Sequence, residues 1–520
     1  MEEYKVIITT SGLGSRLGNH TKFTNKSLVR VGDKPSISHI IDSYPENTKF
    51  VITLGHFGDH VKQFLSLAYP EKKIEYVEVD LYKGKGSSLG YSLLKCSDVI
   101  DGPFVFHASD TILTDTDYIK CNSENLVVGV RRRDNSNYRT INHSKNTVLK
   151  INEKGEIGYE YAYVGVCKIS DYTHFFTNLE KFVKNETFGN ELSDVHVINS
   201  MILDGEKFDY VDAKNWYDIG NTGELENARK HFKSSANVLD KPNESIYFLG
   251  SDVIKFFYDQ KTNLNRVKRT NALEGLVPKI KGHTNNFYKY EKVPGETLSH
   301  NVNPKNFNEL LRWASKELWI EAKSDDFFEK CKRFYKDKTI SRINDYLNGL
   351  EDKEEEINGS LVPPIHELIS VVDFDWLSNG IPTKFHGDFI LDNIINDDNK
   401  FTLIDWRQDF EGNIEVGDMY YDLAKLNHNL IVNHDIVERN LFTTQETENS
   451  IRCEILVGSN MVNCREIYHR FLVENGFDIK KVKTLTALIW LNMAPLHEYP
   501  FNKFLFQFGK YNLFREINEY

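Results

Sequence analysis

The chain is poor in cysteine, and none of its six stands in a C-x-x-C pair or beside a matching histidine. Scattered at 96, 121, 167, 331, 453 and 464, they argue against a zinc site and a disulfide framework and lead us to expect a reduced, cytoplasmic protein. An excess of positive charge is also missing. Against 76 Asp and Glu there are 64 Lys and Arg, a net charge of -12. A nucleic-acid partner is therefore not expected, because that affinity rests on clustered cations. The basic stretch KCKRFYKDK from Lys330 reads as a solvated helix face. No apolar run approaches the roughly 18 residues of a membrane span, and MEEYKVIITT lacks the basic flank and apolar core of a secretory signal. No membrane partner is expected either.

With 520 residues the chain exceeds what one core organises, so more than one domain is expected. From Tyr4 to Phe232 short apolar runs (KVIIT, KFVITLG, IEYVEV, PFVFHAS, NLVVGV) alternate with amphipathic stretches (PSISHIIDSY, HVKQFLSLAY). That alternation predicts βαβ units: an α/β, Rossmann-like domain with a mainly parallel sheet and helices on both faces. The polar segment 233–244 reads as a linker. Beyond it SIYFLGSDVIKFFYD predicts a hairpin turning at Gly250–Ser251, and NNFYKYEKV suggests further strands. The pattern is mostly helical from Asn306 on. The expected division is residues 1–235 and an α+β domain at 245–520, with a small lobe to about 300 and a helical lobe after it.

The stretch TTSGLGSRLGNHTKFTNKSL, residues 9–28, leaves the first strand through Gly12 and Gly14 and adds Arg16 and Lys26. Tight turns, bare N–H groups and positive charge suit a polyphosphate. A Walker loop needs G-x-x-x-x-G-K-[ST], which does not follow Gly12. A dinucleotide fingerprint needs its third glycine one place before Gly18 and an acid closing the second strand, where Leu54, Gly55 and His56 stand instead. Nucleotidyl transfer is the third reading.

TTSGLGSRL resembles the signature loop of the sugar-phosphate nucleotidyltransferases, commonly alanine-alanine-glycine-x-glycine-threonine/serine-arginine-leucine. Here Thr10 and Ser11 replace the alanines, and in NKSLVRVGDKP Asn25 replaces a usual proline. The resemblance covers about residues 4–232 and implies a GT-A-like fold with Mg2+ as cofactor. It implies a nucleoside triphosphate (CTP, UTP, dTTP or GTP) wrapped by Gly12, Leu13, Gly14 and Ser15. Arg16 and Lys26 would be catalytic, on the leaving pyrophosphate. GKGSSLGYSLL resembles the base-contacting turn, with Gly86, Ser87 and Ser88. FHASDTIL and NWYDIGN supply Asp110 and Asp218 as metal ligands, and Lys154 of INEKGEIG and Gly165 of YVGV would meet the substrate. Two approaching anions need such a cation between them.

The second informative stretch is FHGDFILDNIINDDNKFTLIDWRQ, residues 385–408. The Asp-x-x-x-x-Asn spacing from Asp388 to Asn393, with Asp405 after a strand, matches a kinase catalytic loop and its metal ligands. HGD with Asp-Trp downstream resembles the aminoglycoside phosphotransferase and choline kinase family, which has a protein-kinase-like fold. That resemblance implies ATP and Mg2+, with Asp388 on the attacking hydroxyl and Asn393 and Asp405 on the metal. Lys255 in VIKFF would hold the α- and β-phosphates, and Glu291 and Val293 in YEKVPGETL the adenine. VGDMYYDLAKL, with Asp418 and Asp422, reads as structural. No glycine-rich loop precedes Lys255, and Glu274 is a guess at its partner. The aromatic tail WLNMAPLHEYPFNKFLFQFGKYNLF reads either as core or as the wall of an acceptor pocket, where an aromatic cage would imply choline.

Together these readings predict a bifunctional enzyme acting on small molecules, with a homo-oligomer allowed. A kinase would phosphorylate a sugar, polyol or amino alcohol, and a nucleotidyltransferase would activate the product for surface glycan synthesis. The alternatives are a choline or ethanolamine kinase joined to a cytidylyltransferase, and a nucleotidyltransferase whose second domain only binds a ligand.

Overall fold

The computed structural model describes residues 4–114, 123–156, 158–234, 241–448 and 450–518. The chain forms two compact units: residues 1–263 with 281–290, and residues 264–280 with 291–520. Half of the expected linker, 235–240, lies outside the described residues, as does Cys121. The other five cysteines are free and buried. Among the described residues no helix is long and apolar enough to cross a membrane.

In the first unit the run VII belongs to strand Lys5–Thr9, the third from one edge of a nine-stranded sheet. Strands Lys49–Leu54 and Phe104–Ala108 flank it in parallel, and Ile74–Glu78 adds to the former in parallel. Such strands are buried on both faces, which is why they read as continuous apolar runs. Val6 and Ile8 meet Ile37, Ile41, Val61 and Phe64 of helices Ser36–Ser43 and Gly58–Ala68. Ile7, pointing the other way, meets the core of Leu93, Phe175 and Val195 from the helices of the opposite face.

The sheet is mixed, not mainly parallel. Strand Tyr161–Ile169 runs antiparallel to Phe104–Ala108 and to Leu126–Arg131, and Thr140–Ser144 and Thr147–Asn152 form an antiparallel pair. The two-residue link Lys145–Asn146 can join only antiparallel strands.

The first unit also takes in the small sheet that follows the expected linker. Strands Glu244–Leu249 and Asp252–Phe257 form the predicted hairpin, and Ile280–His283 and Phe287–Glu291 complete four strands. Tyr247, Ile254, Phe256 and Phe287 share one core with Phe64 and Leu65, and the Tyr247 hydroxyl donates to the Leu28 carbonyl at 2.8 Å. Packing therefore divides the chain later than the polar segment at 233–244 suggests. A polar segment marks where the chain is exposed, not which core it returns to.

The second unit is mostly helical, as expected, with Pro304–Trp313, Lys338–Leu347, Met419–Asn429, Ser459–Glu474, Ile479–Met493 and Phe501–Asn518 its longer helices. Trp490, Phe504, Phe506 and Leu513 of the aromatic tail are buried as core, and Trp490 Nε1 donates to His428 Nδ1 at 2.8 Å. Asp418 caps Met419–Asn429 and accepts from the Tyr335 hydroxyl at 2.6 Å, a structural use of that carboxylate.

Truncating Phe256, fully buried in the shared core, is expected to destabilise the first unit by about 3–5 kcal/mol. Denaturant unfolding of Phe256→Ala measures it; a first-unit midpoint that does not move means the small sheet has its own core.

Candidate functional site

At the end of the first strand, Gly14 has φ 67° and a Cβ there would stand 2.8 Å from Lys26 Cβ. Only glycine lets this loop lie against the lysine. Lys26 is placed by its neighbour Asn25, fully buried at the position where the resemblance has proline. The Asn25 amide donates to the Thr10 and His56 carbonyls at 2.8 and 2.6 Å and accepts from Ser27 N at 2.9 Å. One side chain thereby ties together the ends of two strands. Lys26 Nζ reaches Asp110 Oδ2 at 3.3 Å.

Strand Thr111–Leu113 pairs antiparallel with Trp216–Asp218, setting Asp218 opposite Thr111, and Ile219 N donates to the Asp110 carbonyl at 2.9 Å. The pairing brings the second carboxylate to the first. Gly220 marks the meeting point. A Cβ on it would lie 3.0 Å from Asp218 Oδ1, 3.4 Å from Arg16 Nη2 and 3.5 Å from Asp110 Oδ2. Asp218 accepts from Gly220 N and from the Tyr138 hydroxyl, both at 2.8 Å. Burial pushes the Asp110 carboxyl up, but the charges of Lys26 and Arg16 outweigh it and hold the group below its ordinary range. Asp218 is raised by burial and then by the Asp110 charge. Two oxygen donors that repel each other fit a hard divalent cation, which would relieve that repulsion.

Gly86 has φ 87° and donates its N–H to Asn190 Oδ1 at 2.7 Å. Ser87 Oγ turns back to the Gly84 carbonyl at 2.7 Å, and Ser88 caps helix Leu89–Leu94 by accepting from Tyr91 N at 3.0 Å. The Ser11 and Ser92 hydroxyls, 2.9 Å apart, tie this helix to the glycine loop. Gly165 has φ 78° and leaves room for Ala108, whose Cβ would be 2.9 Å from a Cβ at 165. Lys154 stands exposed in a turn.

Sequence reasoning missed four residues beside Asp218. Tyr138 and Trp216 meet edge to face with centroids 5.2 Å apart, and Trp216 Nε1 is buried without a hydrogen-bond partner. The Arg132 guanidinium lies 4.9 Å from the Tyr138 ring centre and pairs with Glu224 at 2.7 Å. Trp216 was discoverable, since two residues before Asp218 on a strand is the same face. Arg132, Tyr138 and Glu224 carry no local signal.

In the second unit, buried Asp422 holds the His386-Gly387-Asp388 turn by accepting from His386 N and Gly387 N, both at 2.7 Å. Burial pushes its carboxyl up to about 6, against these donors. Fully buried Arg269 donates to the Phe385 carbonyl at 2.5 Å and the Ile414 carbonyl at 3.0 Å, and also to the Arg407 carbonyl. His386 donates from Nε2 to the Ile404 carbonyl at 2.9 Å and accepts from Asp388 N at 3.2 Å; burial lowers its pKa to about 4 and keeps it neutral.

This scaffold presents Asp388. Lys425 Nζ lies 2.7 Å from its Oδ1, and Asn393 Nδ2 donates to its Oδ2 at 3.1 Å. Burial works to raise the carboxyl, yet Lys425 prevails and holds it at about 2. Asp405, at φ 57°, pairs with Arg266, whose carbonyl accepts from Trp406 Nε1 at 2.9 Å. The amide nitrogen of Asn393 faces Asp388, so its oxygen and the Asp405 carboxylate are oxygen donors of the kind that would suit Mg2+.

The structure brings Asp388, Asn393 and Asp405 together within the second unit. Lys255 belongs to the first unit, buried on the strand face opposite Ile254 and Phe256. Glu291 is exposed and Val293 half-buried. Glu274 lies exposed in the turns after helix Gln260–Arg269. That helix contains no glutamate, and its Arg266 meets Asp405. Lys425 was discoverable, three residues after Asp422 and so on the same helix face.

No family model matches the chain. Over 257 residues it is 26% identical to the bifunctional protein GlmU of Methanococcus maripaludis, covering 48% of this chain and 60% of the relative. The chain thus spans less than two thirds of the length of the curated relatives it matches. Among solved structures it is similar to the CTP:phosphocholine cytidylyltransferase of Streptococcus pneumoniae, at 18% identity over 45% of this chain and 100% of that one, with a TM-score of 0.39. It is also similar to the inositol-1-phosphate CTP transferase of T. maritima, at 16% identity over 45% and 98% of the two chains, with a TM-score of 0.37.

Gly220→Ala would place a methyl between the two carboxylates without changing charge. It is expected to weaken Mn2+ binding at least ten-fold, measured by calorimetry, with a far smaller change in melting temperature. Lys425→Met removes the main opposition to burial at Asp388, so its pKa rises. Any activity that needs this carboxylate ionised is then lost at higher pH than in the parent chain, as the acid limb of its pH profile reads directly.

Proposed function

We propose that the first unit is a nucleotidyltransferase and the second a small-molecule kinase, acting in succession. The observation that carries the first half is the convergence of Asp110, Asp218 and Arg16 on the space beside Gly220. Backbone N–H groups of Gly12, Leu13, Gly14 and Ser15, with the Arg16 and Lys26 side chains, hold the β- and γ-phosphates of a nucleoside triphosphate. A phosphate oxygen of the substrate attacks the α-phosphorus, the bond to the bridging oxygen breaks, and pyrophosphate leaves. Asp110 and Asp218 would hold Mg2+, which would supply charge neutralisation for the two anions. The unpartnered Trp216 N–H, together with Lys154 and Gly165, is assigned to the substrate side.

The second half rests on Asp388, fixed by Lys425 and Asn393. Its carboxylate, ionised throughout the physiological range, orients the acceptor hydroxyl toward the γ-phosphorus of ATP; Asn393 and Asp405 would hold Mg2+, which would supply charge neutralisation. Glu291 and Val293 are assigned to the nucleotide. A second reading, in which this unit binds a ligand without chemistry, is favoured by the lack of a glutamate on helix Gln260–Arg269. The arrangement around Asp388 opposes it. A kinase step followed by nucleotidyl transfer yields a nucleotide-activated precursor suited to surface glycan assembly.

Separate variants test the pair. Asp218→Asn is expected to cut pyrophosphate release at least 100-fold while leaving ATP-dependent phosphorylation intact. Asp388→Ala should abolish ADP formation yet still process a pre-phosphorylated substrate. If both variants lose both reactions, or the parent chain releases no ADP with any alcohol, the two-site assignment fails.

A further inference from the structure

The basic stretch from Lys330 does not lie wholly along a solvated face. A π-helical turn over Arg333–Asp337 leads into helix Lys338–Leu347, a local geometry frequent at functional positions. Phe334 and Tyr335 are buried. Lys338 turns in with them, its Nζ 4.1 Å from the centre of the Phe334 ring and 5.8 Å from that of Tyr421. The Arg407 guanidinium stands 5.0 Å from the same Phe334 ring. Tyr421 lies one helical turn before Lys425, which holds Asp388, and Arg342 lies one turn after Lys338 on the same helix face. A cluster of basic side chains therefore adjoins the Asp388 carboxylate, whose side chain is 37% exposed.

The acids near this cluster are already engaged. Asp388 is paired with Lys425 at 2.7 Å and Glu411 with Arg333 at 3.8 Å. Asp409 accepts from Asn265 Nδ2 at 3.3 Å and Gly412 N at 3.1 Å. Lys338, Arg342 and Arg407 have no carboxylate within ion-pair distance among the described residues. Burial, followed by the charges of Arg407, Lys425 and Arg342, drives the Lys338 pKa well below its ordinary value, with Glu411 opposing. An anion placed among them would restore the charged form of Lys338 that burial and its neighbours disfavour. A quaternary ammonium would meet like charge here, because both rings that could cage it already carry a lysine.

Resting on the reading of this unit as a kinase, we infer that its phosphoryl acceptor is an alcohol that also bears an anionic group, a carboxylate or a phosphate monoester, held by Lys338, Arg342 and Arg407. The acceptor hydroxyl oxygen bonds to the γ-phosphorus of ATP, the bond from that phosphorus to the β–γ bridging oxygen breaks, ADP departs, and the hydroxyl proton passes to Asp388.

The test uses the full chain. ADP release is followed with glycerol and ribitol (neutral), choline and ethanolamine (cationic), D-glycerate and gluconate (carboxylate), and glycerol 3-phosphate (phosphate). The anionic alcohols are expected to exceed the others at least 100-fold in kcat/KM, and the two anionic arms tell carboxylate from phosphate. Lys338→Met should raise the acceptor KM ten-fold or more, leaving kcat and the KM for MgATP within about two-fold, and Lys338→Arg should restore part of the loss. A preference for neutral or cationic alcohols overturns the inference. So does a Lys338→Met effect confined to MgATP, which would assign the cluster to the nucleotide. Calorimetry with D-glycerate and glycerol 3-phosphate keeps the two questions apart. If no alcohol yields ADP, the kinase reading falls, while saturable binding lost in Lys338→Met upholds the anion site and its absence removes it.

Discussion

Two like charges brought together by a strand pairing set the terms for the first unit. The register that puts Asp218 opposite Thr111 leaves the Asp110 and Asp218 carboxylates facing one small space, where they raise each other's cost of ionisation. Lys26 and Arg16 meet part of that cost from one side, and Asp110 stays charged as a result. Everything that positions Lys26 then matters to the site: the left-handed Gly14, the buried Asn25, and the two strand ends that Asn25 connects. A glycine at 220 keeps a Cβ out of the space the two carboxylates face. The site is thus built by backbone geometry first and by charge second.

The second unit solves a related problem differently. Its key carboxylate, Asp388, is kept ionised by a lysine three positions past a buried aspartate on one helix, and the turn that carries it is fastened by Asp422 from one side and by Arg269 from the other. Arg269 bonds carbonyls from three separate segments, so a single buried guanidinium fixes how those segments meet. Such a residue is costly to bury and costly to remove, because truncation strands its acceptors.

Much of this was legible in the sequence where chemistry and local pattern coincide. The apolar runs gave the parallel strands, and HGD with its downstream Asn and Asp gave the residues around Asp388. What escaped has physical causes. Strand direction in the outer half of the first sheet depends on link length and partner choice, which periodicity does not encode. Asn25 looked like a departure from a motif, yet its amide makes bonds to Thr10 and His56 that proline could not. Lys338 ends a basic stretch that read as solvent-exposed, and Arg266 and Arg269 carry no local signal; only tertiary packing turns these long cations inward. The core that joins the small sheet to the first unit was hidden by the polar segment in between.

That shared core has a thermodynamic consequence. Tyr247, Ile254, Phe256 and Phe287 have no separate interior to fall back on, so the strand that bears Lys255 opens and closes with the strands behind the glycine loop, as one cooperative block. By linkage, whatever engages the Lys255 face in the native state also adds to the free energy that keeps the Asp110 and Asp218 pocket assembled. A molecule bound at one place on this block is therefore felt, as resistance to unfolding, at the other.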